Sequence, residues 1–236
     1  MNVLAILDVE TTSTEPAIGH VVEAAFALWS VEHRTVIRAR SWLCAAPPEG
    51  VEATRHIHGI PPELVTARGV AFHEVAKQIH AIVLKEATWI GAWNADFDRA
   101  WMPHDVQNVV PWLDLCWDID WPKATPDRKL LSVAHAHGVQ VGALHRAPDD
   151  VLLVARLLER CAELGYGPQA LIDQALRPRA VFAVADRRFD EERNRQAKDL
   201  GFRWHPESKT WRKKVALDSV DSLPFAVVRV DEERAA

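Results

Sequence analysis

The stretch LAILDVETT, residues 4–12, ends an apolar run with two carboxylates, Asp8 and Glu10, set two residues apart. In an extended strand alternate side chains share a face, so both would project together while Val9 turns into the core. Carboxylates held that close repel one another unless a cation lies between them, and a divalent metal, an Arg or a Lys can serve. A strand end that has run out into solvent carries the same pattern, so the pair alone does not decide. Two further acids fall at matching positions. Asp98, in WIGAWNADFDRAW, lies just past an apolar segment at the mouth of a helix, and Asp150, in LHRAPDDVLLVARLL, lies in the first turn of another. One strand end and two helix starts can converge at one sheet edge and offer hard oxygen ligands to a divalent cation. His145 sits on the loop entering the helix of Asp150. It is placed to take a proton there, a task that suits an imidazole.

The elements that must position these groups can be read from periodicity. Residues 3–9, 20–29 and 35–43 read as strands, the last two joined by the polar hairpin turn SVEHRT. ATRHIHGIPPELV reads as a loop or short helix, FHEVAKQIHAIVLK as an amphipathic helix and ATWIGAW as a buried fourth strand. Asn94 is expected to cap the helix of NADFDRAWM, and WLDLCWDI to form a fifth strand or an extended piece. DRKLLSVAHAHGV should close at Gly138, and APDDVLLVARLLERCAELG at Gly165. Hairpin strands followed by alternating helices and strands predict an α/β domain on a mixed five-stranded sheet. Residues 1–168 are assigned to it, 169–180 to a linker and 181–236 to a small basic α+β domain. In the latter, AVFAVADRRF and PFAVVRV read as strands, DEERNRQAKDLG as a helix ending at Gly201, and FRWHPESKTWRKKV as a hairpin turned at PESK.

The composition is ordinary for a folded chain: 236 residues, 48% hydrophobic and 26% charged, ample for one domain and a smaller appendage. With no apolar run long enough to span a bilayer and no basic leader after Met1, the expectation is a cytoplasmic protein without a membrane partner. Three scattered cysteines, Cys44, Cys116 and Cys161, form no C-x-x-C pair and suggest buried thiols. The net charge of -5 argues against a protein that grips nucleic acid by bulk electrostatics. Residues 187–214 reverse the sign, with ten Lys or Arg against five acids.

The acidic motifs, taken together, resemble the DEDDh group of the DnaQ-like 3'-to-5' exonucleases. The family's D-x-E-T is matched by DVETT, its H-N-x-x-F-D by WNADFD with Trp93 in place of the His, and its H-x(4)-D by HRAPDD. RHIHGIPPELV is similar to the segment that follows the family's third strand, and the likeness runs from about residue 3 to 165. It implies a ribonuclease H-like fold and two Mg2+ or Mn2+ ions. Asp8 would bridge them, Glu10 and Asp150 would hold one and Asp98 the other, with His145 as general base. It further implies substrate contacts from Thr11, Thr12, His58 and Asn94, and release of nucleoside 5'-monophosphates from a 3' end. DNA ranks ahead of RNA as the polymer, an exoribonuclease or oligoribonuclease being the alternative. A polymerase partner is compatible with the resemblance, although no polymerase-binding tail is recognisable; a catalytically idle nucleic-acid-binding module ranks last. Ser13 stands where the family often has Gly, in a turn expected to lie under the terminal nucleotide.

Other residues carry weaker signals. Asp96 and Asp149 read as solvated or capping acids. The histidine pairs at 56–58 and 135–137 lack the cluster a soft metal needs, and histidines two apart on a helix point in different directions. Of the ten tryptophans, Trp29, Trp42 and Trp89 fall in strands and read as core. Near the C-terminus, AKDLGFRWHPESKTWRKKV resembles small domains appended to phage and bacterial DNA-processing proteins. Arg203, Trp204, Lys209, Trp211, Arg212 and Lys213 are its candidate nucleic-acid contacts. The same tryptophans can instead close a miniature core.

Overall fold

The computed structural model describes residues 1–123, 125, 127–142, 145–186 and 190–230, so Arg187 and Arg188 of the basic segment lie outside the described residues. The chain divides into two compact units, Met1–Ala175 and Leu176–Ala236. In the first unit, β1 (Val3–Thr11), β2 (Val21–Ser30) and β3 (Thr35–Leu43) form an antiparallel meander. The polar turn between β2 and β3 closes with Arg34 in the left-handed region and its N–H donating to the Ser30 carbonyl. Then come α1 (Pro48–His58), α2 (Pro62–Arg68), α3 (Phe72–Glu86), β4 (Trp89–Ala92), α4 (Ala95–Trp101), α5 (His104–Gln107), β5 (Trp112–Asp114), α6 (Leu130–Ala136), α7 (Ala147–Glu163) and α8 (Pro168–Ala175). The sheet order is β3-β2-β1-β4-β5, with β4 parallel to β1 and β5 parallel to β4. This is the mixed five-stranded α/β sheet expected from the pattern.

Alternation along β1 sorts the core into two layers. Leu4 and Ile6 pack with Ala147, Val151, Val154 and Leu158 of α7, whereas Val3, Ala5, Leu7 and Val9 pack with Val75, Ile79 and Val83 of α3. Both sheet faces are therefore covered, which is why β2 is buried along its whole length. Trp29 and Trp89 are core, and Trp42 packs against Phe26, as their strand positions require. All three cysteines are buried, and burial pushes the Cys44 thiol up to about 12. Gly138 and Gly165 take the left-handed conformation that closes α6 and α7.

Three local expectations are corrected. The segment around HIHGIPP is two helices broken at Gly59 and Pro61, since Gly59 turns left-handed and proline cannot continue α1. The fifth strand is only three residues long, because the Asp114 carboxylate accepts the N–H groups of Cys116 and Trp117, both at 2.9 Å, and folds the chain into a turn. Asn94 stands before α4 but makes no side-chain cap; its backbone is left-handed and its amide oxygen accepts from the Trp117 indole at 3.3 Å.

In the second unit, β6 (Arg179–Val184), β7 (Arg203–His205), β8 (Thr210–Ala216) and β9 (Val227–Arg229) form an antiparallel sheet of order β7-β8-β6-β9. The α9 helix (Glu191–Asp199) covers one face, with Ala197 packed among Phe182, Val184, Phe202 and Val215. Asp190 caps it through the Arg193 N–H, and Gly201 ends it with a positive φ. Among the described residues, no helix is long and apolar enough to cross a membrane.

Candidate active site

Asp8 and Glu10 share the β1 face that carries Leu4 and Ile6, and that face looks toward α7. Asp150, in the first turn of α7, meets them there. Asp8, Glu10 and Asp150 each bring a carboxylate oxygen within 4.8 Å of the others. Asp98 arrives by another route. Pairing of β1 with β4 stops at Ile6–Gly91, so the N–H of Val9 has no strand beside it. The buried Asp98 carboxylate from α4 accepts that N–H at 3.1 Å, which fixes it behind Asp8.

Burial dominates the electrostatics of this cluster. Desolvation raises Asp8 and Asp98 well above the carboxylate range, and neighbouring acids add to it. Desolvation, then Asp150 and Glu23, push Glu10 up to about 8. Asp150 rises to about 6, again through burial, with His145 opposing the shift. Oδ1 of Asp150 is buried with no hydrogen-bond partner among the described residues. An all-oxygen donor set, mutual repulsion and an unsatisfied carboxylate oxygen fit a hard divalent cation.

These shifts set a pH dependence. Folded and metal-free, the chain holds protons on Glu10 up to about pH 8, while the unfolded chain releases them near 4.5. Between those values the native state binds more protons, so stability falls as pH rises through the window. The melting temperature in chelator should drop by roughly 5 °C or more from about pH 5 to 8, and Mg2+ should remove most of the drop. Differential scanning fluorimetry reads this directly, and a flat profile without metal would contradict the buried acidic cluster.

The sequence reasoning passed over two residues that hold the site together. Glu23 of β2 stands opposite Glu10 in the β1–β2 register and is only 2% exposed. Arg146 clamps it bidentately, Nε donating to Oε2 at 2.9 Å and Nη2 to Oε1 at 2.7 Å, and the Ala147 N–H donates to Oε2 at 3.2 Å. One strand carboxylate thereby satisfies the start of α7, and the Arg146 charge offsets part of the repulsion that Glu10 feels. The sequence signal was a lone Glu in the apolar HVVEAAFAL. Arg146→Met would leave Glu23 charged and buried, costing about 3 kcal/mol of stability. In a chemical-denaturation cycle, Glu23→Gln with Arg146→Met should recover most of that loss; additive losses would mean that the two side chains act separately.

The remaining candidates are placed as follows. The Thr11 hydroxyl donates to the Ser13 carbonyl at 2.6 Å, and Thr12 Oγ1 accepts the His20 N–H at 2.9 Å, so both shape the loop after β1. Ser13 has no positive φ; the close approach in this loop falls on Gly19, where a Cβ would stand 2.6 Å from that of Ser13 and 2.7 Å from the Trp101 ring. His58 is buried, Nδ1 accepting from the Ile60 N–H and Nε2 bonded to Thr54, both at 3.0 Å. His137 is buried likewise, its Nε2 accepting from the Lys123 N–H and Nδ1 bonded to the Val133 carbonyl. His145 is exposed beside Asp150 with φ 60. Trp93, in the position of the family's His, donates its indole N–H to the Arg128 carbonyl at 2.9 Å and stacks on Trp121.

A five-stranded mixed sheet with helices on both faces matches the ribonuclease H-like fold. Solved exonucleases share it. The chain superposes on Escherichia coli exonuclease I bound to single-stranded DNA and zinc with a TM-score of 0.58 at 20% identity, covering 78% of this chain and 48% of that one. Exonuclease X in complex with 5'-overhanging duplex DNA gives 0.55 at 22% identity, covering 73% of this chain and 99% of that one. Exonuclease I of Methylocaldum szegediense gives 0.57 at 18% identity, over 82% and 50%. The chain thus spans about half the length of the exonuclease I structures. Residues 189–230 match a family model described as a domain of unknown function, DUF8626. No curated relative matches the chain.

Proposed function

We propose that the chain is a metal-dependent 3'-to-5' exonuclease of the DEDDh type that releases nucleoside 5'-monophosphates from DNA. The observation that carries this reading is the convergence of Asp8, Glu10 and Asp150 within 4.8 Å, with the Asp98 carboxylate fixed to the Val9 N–H beside them. DNA is favoured because the similar exonuclease structures hold single-stranded or duplex DNA.

Asp8, Glu10, Asp98 and Asp150 would hold two Mg2+ or Mn2+ ions. When bound, the ions acidify the attacking water and offset charge on the phosphate and the leaving 3'-oxygen. The carboxylates approximately balance the charge of that pair, and binding it would drive off the proton that Glu10 otherwise retains. His145 stands at the exposed rim of the cluster beside Asp150, where its ring can take a proton from the attacking water. Val9 and Asp98 keep the floor rigid, one packed in the core and the other bonded to its backbone.

The test is digestion of DNA labelled at either end, in Mg2+ or Mn2+. A ladder from the 5'-labelled strand with immediate loss of the 3' label is expected. Internal fragments alone would overturn the exonuclease reading, and a preference for RNA would reassign the polymer.

A further inference from the structure

The second unit separates its charges by face. None of β6, β7, β8 and β9 carries an Asp or Glu, while together they carry Arg179, Arg203, Arg212, Lys213, Lys214 and Arg229. Among the described residues, the acids sit on α9 and its cap Asp190, at Asp186 after β6, at Glu207 in the β7–β8 turn and in the 3-10 turn Leu217–Ser222. Register then divides the cations. Val215 packs under α9, so Trp211 and Lys213 share the helix side of β8 while Arg212 and Lys214 point to the opposite face. Lys213 accordingly donates to the Leu200 carbonyl at 2.8 Å, at the end of α9. Arg203 stands directly opposite Arg212 and so joins Lys214 on the face away from the helix.

Two arginines opposed across the strands with a lysine two residues along β8 concentrate positive charge on one face, which is complementary in sign to a polyanion. Cross-strand and i,i+2 spacings put these three cations about 5–7 Å apart, on the scale of neighbouring phosphates in one strand of nucleic acid. The edge strand supplies a second element. Trp204, next to Arg203 on β7, is 50% exposed and held edge-on by Trp211 at a ring-centroid distance of 5.8 Å. An indole already fixed by its neighbour can stack on a base with little further ordering. Cations on one face of an edge strand and an exposed ring on the other suit a flexible single strand better than a rigid duplex.

We propose that the β7–β8 edge of the second unit is a binding site for single-stranded nucleic acid, with Arg203, Arg212 and Lys214 on the phosphates and Trp204 against a base. The site is independent of the proposed nuclease chemistry, and its test involves no turnover. Full-length protein is titrated into a labelled single-stranded oligonucleotide in chelator across a salt series. The triple variant Arg203→Gln/Arg212→Gln/Lys214→Gln should bind about tenfold more weakly and lower the slope of log K against log salt by about 2, as expected for three lost phosphate contacts. Arg195→Gln/Lys198→Gln, on α9, should leave both quantities unchanged. Trp204→Ala should weaken single-strand binding about tenfold, Trp204→Phe far less, and neither should alter duplex binding. An unchanged slope in the triple variant, an equal loss in the α9 variant, or an equal loss on duplex from Trp204→Ala would each overturn the assignment. Circular dichroism of every variant excludes misfolding as the cause of a loss.

Discussion

Asp8→Ala is expected to lower the release of nucleotides from 3'-ended DNA by at least about 10^4, because the proposed metal site would lose the buried carboxylate that Asp98, Glu10 and Asp150 surround. The same position gives an opposite result in stability. Asp8 is raised well above its ordinary value by burial and by Asp98, Glu10 and Asp150, so in the metal-free protein its charge is a strain. Asp8→Asn, which keeps the volume, should therefore melt at a higher temperature than the parent at pH 8 in chelator, and should gain little from added Mg2+. Loss of activity with gain of metal-free stability is a combination that misfolding cannot produce. Parent-like digestion by Asp8→Ala in Mg2+ would remove the acidic cluster from the reaction altogether.

That opposition explains which parts of the site the sequence discloses. The alternation of β1 is a local property, so the common face of Asp8 and Glu10 can be read from LAILDVE, as can the start of α7 at Asp150. The bond from the Val9 N–H to Asp98 cannot, because it exists only where β1 outruns β4, and register belongs to the folded sheet. Glu23 and Arg146 are 123 residues apart, and no periodicity joins them. What the sequence does contain is the anomaly, a carboxylate inside a ten-residue strand that is otherwise apolar apart from Ser30.

The second unit shows the same boundary. Alternation along TWRKKV already separates Trp211 and Lys213 from Arg212 and Lys214, yet only the packing of Ala197 beside Val215 says which set lies under a helix. Asn94 failed as a cap for a related reason: a residue with a left-handed backbone cannot aim its side chain at the first turn, and the Trp117 indole takes its oxygen instead. The short β5 follows from one side chain, Asp114, that captures two backbone N–H groups and ends the strand.

His145→Ala is expected to lower kcat by about 10^2–10^4 while Mg2+ affinity stays within a few-fold of the parent, since the carboxylates remain in place. Backbone geometry sharpens this test. His145 holds φ 60, a conformation that disfavours any residue with a Cβ by about 1–2 kcal/mol and survives where the surroundings impose it. The next residue, Arg146, is held by its clamp on Glu23. His145→Gly should therefore raise the melting temperature while abolishing the base, so stability and rate move in opposite directions. Added imidazole should restore part of the rate of His145→Gly, with a pH profile that follows the added imidazole, and none of the rate of Asp8→Ala. A glycine variant as fast as the parent would show that the left-handed turn, and not the ring it displays, is what the reaction needs.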